Sequence, residues 1–152
     1  MVSAETLKII HVLAVCLFLG NVVVSGTWAV LAERTSNYEV IAFSNRLVLI
    51  TDALFTFTGS LVVVGTGFLM GQRFGGAAAQ GWIAWSYALI GISGAIWALV
   101  LVPIQLRQRK ILKRDKAITA EYLRLSKIWQ ISGAIATVIP LPILYLMITK
   151  GR

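Results

Sequence analysis

Charge is what this sequence has least of. Of its 152 residues only 13% are Asp, Glu, Lys or Arg, against 58% hydrophobic, and the mean hydropathy is +0.83. So few polar side chains cannot cover a water-exposed surface, which excludes a soluble domain. Acids are scarcer still: six, against fourteen Lys and Arg, for a net charge of +8. In a soluble chain that excess would suggest nucleic acid. Here the basic residues gather mostly in one loop and read as topology signals, and no nucleic-acid partner is expected. The single cysteine, Cys16, lies inside an apolar run, so neither an internal disulfide nor a thiolate cluster can form. There is also only one histidine, His11, so one chain by itself cannot hold haem between two histidines.

What is present is length of apolar chain. Crossing a bilayer takes about 20 apolar residues, and runs near 9–32, 47–70, 82–106 and 128–149 each suffice. The first is too long for a signal peptide, follows the acidic Glu5 and lacks an A-x-A cleavage site, so it is expected to be retained as a span. The fold class expected is all-α: one membrane domain over 1–152, a polytopic up-and-down four-helix transmembrane bundle. Four crossings place Lys8, Arg73, Lys150 and Arg152 on one side. Arg34, Arg46, Arg107, Arg109, Lys110, Lys113, Arg114, Lys116, Arg124 and Lys127 fall on the other. The positive-inside rule makes the second side cytoplasmic and puts both termini outside. The expected location is the bacterial inner (plasma) membrane.

Ser36-Asn37-Tyr38-Glu39 reads as a capping box starting the second helix well before the lipid. Between Arg107 and Lys127, Ile111, Ile118, Tyr122 and Leu125 form a stripe beneath basic residues. It suits either an anionic membrane surface or a solvated extension of helices three and four.

Polar residues in such a bundle are informative because hydrocarbon offers them no partner. Spacings of three and four give the seams expected of a left-handed bundle. They are His11, Ala14, Phe18, Asn21, Ser25 and Trp28; Asp52, Thr56, Gly59, Val63, Thr66 and Met70; Trp82, Ser86, Leu89, Ser93, Ile96, Val100 and Pro103; and Gln130, Gly133, Thr137, Pro140, Leu144 and Met147. His11, Met70 and Met147 share the outer layer. Asp52 lies about 9 Å inside Arg46 from the other face, so His11 and Asp52 fall about 15 Å apart and form two separate sites.

Imidazole and thioether together favour haem iron or Cu(I), which makes His11 with Met70 or Met147 a candidate ligand set. The plainer alternatives are an interfacial histidine bonded to a carbonyl or water, and methionines as core filler. Asp52 is either paired structurally, with Arg46, Arg107, Gln130 or Ser132 as candidates, or a proton or ion site. Gly59, Gly65, Gly67, Gly71, Gly91 and Gly94 permit close helix packing, or admit a flat macrocycle.

The stretch Leu7-Lys8-Ile9-Ile10-His11-Val12-Leu13-Ala14, followed by Leu17-Phe18-Leu19-Gly20, looks like the start of several bacterial four-helix membrane families. Over the whole chain the sequence resembles a group of predicted integral membrane proteins of unknown function. That group has a His in the first span, an Arg and an Asp at the start of the second (Arg46 and Asp52 here) and a Gly-rich second span. More remotely it resembles the HemJ-type protoporphyrinogen oxidases and the CopD-type copper-resistance proteins. The first resemblance implies haem b and electron or proton transfer, the second copper at the outer side, and only His11 carries over. Three functional readings stay open: haem b bound through His11 in a redox or haem-related role; a non-catalytic accessory or assembly subunit of a larger membrane complex; and copper or small-ion handling. Beyond the lipid bilayer, the partners to consider are such a complex or a homo-oligomer.

Overall fold

The computed structural model describes residues 3–150. Helix α1 spans Ala4–Arg34 and α2 spans Tyr38–Gln72. After the short α3, Gly76–Ala79, come α4, Gly81–Asp115, and α5, Ala120–Thr149. Four of these helices are long and apolar enough to cross a membrane. All outlast the apolar runs expected of them, and the excess of α2, α4 and α5 lies at the basic end.

Caps explain the boundaries. The Ser3 hydroxyl accepts from the Thr6 N–H at 3.1 Å and opens α1. Asn37, not Ser36, caps α2, its side chain accepting from the Glu39 and Val40 N–H groups. Ser36 is instead the left-handed turn residue, at φ 50°, so the cap is displaced by one position and, with Val40 at the third helical position, the expected reciprocal capping box does not form. Thr119 accepts from the Tyr122 N–H and opens α5.

The four long helices pack cyclically, each against its neighbour in sequence and α1 against α5. The basic end is the best packed. Ala32, Ile41, Ile111, Leu112, Tyr122 and Leu125 form one buried cluster, with Ile118 against it. The stripe therefore faces inward and not toward a membrane surface; the extension of helices three and four is the alternative that fits, and the extensions bring their own apolar partners. Above it Val48, Leu101, Trp129 and Ala136 form a second cluster. The outward faces are apolar, Ile148 being 82% and Leu99 76% exposed, as hydrocarbon requires.

Two π-helical turns reset the seams. One covers Asp52–Phe57 in α2 and the other Trp97–Leu101 in α4. A π turn holds an extra residue and rotates the rest of the helix beyond it. In α4 the inward residues accordingly run Ser93, Leu101, Gln105 and Gln108, while Pro103, expected inside, is exposed. In α1, Trp28 likewise faces out at 43% exposure. Near the far end of α5, Pro140 supplies no N–H to the carbonyl of Ala136. The Ser93 hydroxyl donates to that carbonyl instead at 2.7 Å, which restores the bond that lipid cannot supply.

Candidate functional site

His11 projects from α1 toward α2. Its Nδ1 lies 2.8 Å from the Thr66 hydroxyl, and that hydroxyl gives its only proton to the Val62 carbonyl at 2.5 Å. With the Thr66 proton on that carbonyl, the hydroxyl oxygen accepts from His11 Nδ1–H and the tautomer is the one that keeps the lone pair on Nε2. Gly67 makes the seat: a Cβ there would stand 3.3 Å from His11 Cε1. His11 lines a cavity of about 90 Å³ with Phe18, Tyr87, Pro140 and Met147 among its walls. Met147 thus shares the cavity with His11, whereas Met70, half-buried, is not one of its lining residues.

Asp52, 6% exposed, belongs to a second cluster. Its Oδ1 accepts from Asn21 Nδ2 at 3.1 Å and from the Thr56 hydroxyl at 2.9 Å, and its Oδ2 from Gln105 Nε2 at 2.7 Å. Asn21 also donates to Thr56 at 2.9 Å. The Trp97 indole lies beside the same carboxyl group, its N–H buried and without a partner in hydrogen-bond geometry. None of the cations considered for Asp52 is used. Arg46 is exposed and Arg107 bonds Glu121 at 2.6 Å. The separation of the His11 and Asp52 sites holds in bonding terms, since they share no partner.

A third cluster is built on a residue outside the expected seams. Glu33, near the basic end of α1, accepts from the Ser126 hydroxyl, from Tyr122 Oη at 3.3 Å and from Gln130 Nε2 at 2.8 Å. Gln130, considered for Asp52, is committed here. The signal available was the extension of Asn21 and Ser25 by fours, which lands on Glu33. Gln105 and Gln108, at 2% and 3% exposure, sit among basic residues and become visible only once the π turn has shifted the register.

The largest cavity, about 740 Å³, runs between α1, α4 and α5 and reaches Asp52, Thr56 and Gln105. Phe18, Leu19, Val64, Ile90 and Pro140 line both this chamber and the His11 cavity. The glycines divide by role. Gly59 lets Phe18 approach and Gly71 lies against Tyr87, whereas a Cβ on Gly65, Gly91 or Gly94 would meet nothing. Among the described residues no group of three or more His, Cys, Asp and Glu is arranged to hold a metal ion.

A family profile described as predicted integral membrane protein (DUF2269) matches residues 5–151. The chain belongs to this family. It is an integral, multi-pass membrane protein, and the family description assigns no function. No curated protein and no solved structure matches the chain.

The DUF2269 chain thus combines an imidazole bonded through Nδ1, an apolar chamber next to it, and two carboxyl groups held by uncharged donors. The first two suit ligation of a flat apolar group, the third proton exchange or structural bonding.

Proposed function

We propose that the chain binds haem b within the membrane, with His11 as an axial ligand, in a redox or haem-related role, and that the membrane is the bacterial inner membrane. The observation that supports this reading most is the Thr66 bond, which orients the imidazole and leaves Nε2 as the donor. A hydrogen-bonded Nδ1–H is how ligating histidines are usually held. Drug-sized ligands occupy roughly 300–1,000 Å³. The His11 cavity alone, about 90 Å³, is below that, and the adjoining chamber, about 740 Å³, is within it. The residues present fit the group if it extends past Phe18 and Ile90 into the chamber. His11 would hold the group, with Met147 as the candidate for a second ligand; a second copy's His11, or His11 alone, are the alternatives. Bound haem b would supply one-electron chemistry; the chain's own residues orient the ring nitrogen and exclude water.

The test is a visible spectrum of the protein purified from haem-replete cells. A Soret band that disappears in His11→Ala, with the bundle still assembled, and returns in part with added imidazole is the expected result. A colourless wild-type protein, or an unchanged spectrum in His11→Ala, overturns the reading.

A non-catalytic subunit of a larger membrane complex is the second reading, favoured by one observation: Asp52 and Glu33 are both fully engaged inside the bundle, as purely structural groups would be. The copper reading draws on His11 and Met147, which together supply two donors.

A further inference from the structure

The large chamber is open on one side. Val23 and Leu31 of α1 and Val138 of α5 line it and are each more than half exposed, so it opens between α1 and α5 toward the surrounding hydrocarbon. No side chain of the protein fills this cleft. A Cβ on Gly26 or Gly94 would meet nothing within 4 Å, and one on Gly133 only Leu101 Cδ2 at 4.0 Å. The three glycines line the chamber from three different helices, and close helix contact does not account for them. The hydroxyls in the wall are spent on their own helices: Ser25 donates to the Val22 carbonyl, Thr27 to that of Val23 and Thr137 to that of Gly133. Water would find no partner along such a wall, and an apolar cleft open to lipid is filled by hydrocarbon.

Positive charge stands at one end of the cleft. Arg34 lines it from α1, and Lys127 falls one turn before Gln130 and Ala134 on the same side of α5. Both are exposed. Among the described residues the ion pairs are Arg107 with Glu121, Arg114 with Asp115 and Arg114 with Glu121, so neither Arg34 nor Lys127 is neutralised. Glu33, next to Arg34, is turned to α5, where Ser126, Tyr122 and Gln130 occupy its oxygens. From Arg34 to Val22, another lining residue, α1 rises about 18 Å at 1.5 Å per residue. That is close to the roughly 15 Å of hydrocarbon in one leaflet. We propose that the cleft binds one anionic phospholipid of the leaflet at the basic end, its phosphate between Arg34 and Lys127 and an acyl chain along Gly26, Gly133 and Gly94. Cations grouped between helices at the membrane surface recognise such headgroups, and two unneutralised charges favour a lipid of net negative charge over a zwitterionic one. The chain takes the half of the chamber toward the basic end and leaves the end at Phe18 and Ile90 to the His11 cavity. Nothing in the site depends on His11 or on haem.

The experiment mixes the full chain in detergent with dioleoyl phosphatidylglycerol and dioleoyl phosphatidylcholine, which share their acyl chains, and counts retained lipid by native mass spectrometry. One phosphatidylglycerol per chain should be held against excess phosphatidylcholine. Arg34→Gln and Lys127→Gln should each weaken it about fivefold, the share of one cation at an anionic lipid surface. Lys110→Gln, which removes an exposed cation of α4, should leave it unchanged. Gly26→Leu and Gly133→Leu fill the cleft and should lose the lipid while the helical content and the melting transition persist. If Gly133→Leu does not assemble, Gly26→Leu, whose Cβ meets nothing, decides alone. Glycerol 3-phosphate has the headgroup chemistry without the chains and should not compete. Equal retention of the two lipids overturns the proposal, as does phosphatidylglycerol held at the wild-type level in both Arg34→Gln and Lys127→Gln, or in Gly26→Leu. Displacement by glycerol 3-phosphate at the same concentration overturns it too, since the cleft would then contribute nothing. Loss of the haem reading leaves every one of these outcomes readable.

Discussion

Gln105 donates its side-chain amide to Oδ2 of Asp52 at 2.7 Å across a sequence separation of 53 residues. Each partner adjoins a π turn. Asp52 opens the one in α2, and Gln105 comes four positions after the one in α4. The bond joins two helices that are not neighbours in any short loop, and it sets the carboxylate on the wall of the chamber.

Removal of the Asp52 charge separates shape from solvation. Asp52→Asn keeps an acceptor for Asn21 and Thr56, and Gln105 can turn its carbonyl to the new amide, so the loss of stability should be small. Asp52→Leu takes the acceptor from the Thr56 hydroxyl and the Gln105 amide, both buried, at about 1–3 kcal/mol each. Reversible unfolding in detergent should rank wild type, Asn and Leu in that order. A Leu variant as stable as wild type would contradict the network.

Thr66→Val removes the acceptor that orients His11 without touching Nε2. If haem is bound there, loss of this outer contact should weaken retention about 10–100-fold, measured by competition with apo-myoglobin, while the folded fraction stays unchanged. Equal retention in wild type and Thr66→Val would detach the imidazole from the site.

The two methionines are now distinguishable. Met147 shares the His11 cavity and Met70 does not line it. With thioether ligation, Met147→Leu should lower the reduction potential, because thioether raises it, and Met70→Leu should leave it unchanged. A redox titration of both variants checks this, and a shift confined to Met70→Leu would reverse the assignment.

Gly71 and Tyr87 form a steric pair. A Cβ on Gly71 would stand 2.7 Å from Tyr87 Oη, a hydroxyl that is buried and without a partner. Gly71→Ala should therefore destabilise by about 1–3 kcal/mol. In a Tyr87→Phe background the same change should be neutral or favourable, since alanine is the better helix former by about 1 kcal/mol. A double-mutant cycle in detergent reads the coupling, and additivity would refute the contact.

From the ten-to-four distribution of basic residues we expect the Glu33 end to face the cytoplasm. A reporter fused after Arg152, which lies outside the described residues, should be active only on the far side of the membrane. Cytoplasmic activity would invert the bundle.

Much of the site was legible in the sequence. Asp52 and Asn21 stood out because an ionisable or amide side chain in an apolar run must find a partner, and His11 because it is the only imidazole. Their partners were not legible. Asp52 had Arg46, Arg107, Gln130 and Ser132 as candidates and uses none of them, taking Asn21, Thr56 and Gln105. Glu33 was hidden at a helix end, where acids are commonly solvated, and Gln105 and Gln108 among charges that suggested a wet surface.

The sequence by itself determined that four helices cross, because each apolar run matches the thickness of hydrocarbon and only a helix satisfies its own backbone there. It also determined the expected orientation, through the placement of Lys and Arg. Which faces of those helices meet was decided only by the tertiary structure. Every apolar helix offers several seams of nearly equal composition, and the π turns at Asp52–Phe57 and Trp97–Leu101 rotate the chain by one residue partway along. Periodicity cannot foresee such a rotation, because the contacts that favour an extra residue in the turn form only when the other helices are in place.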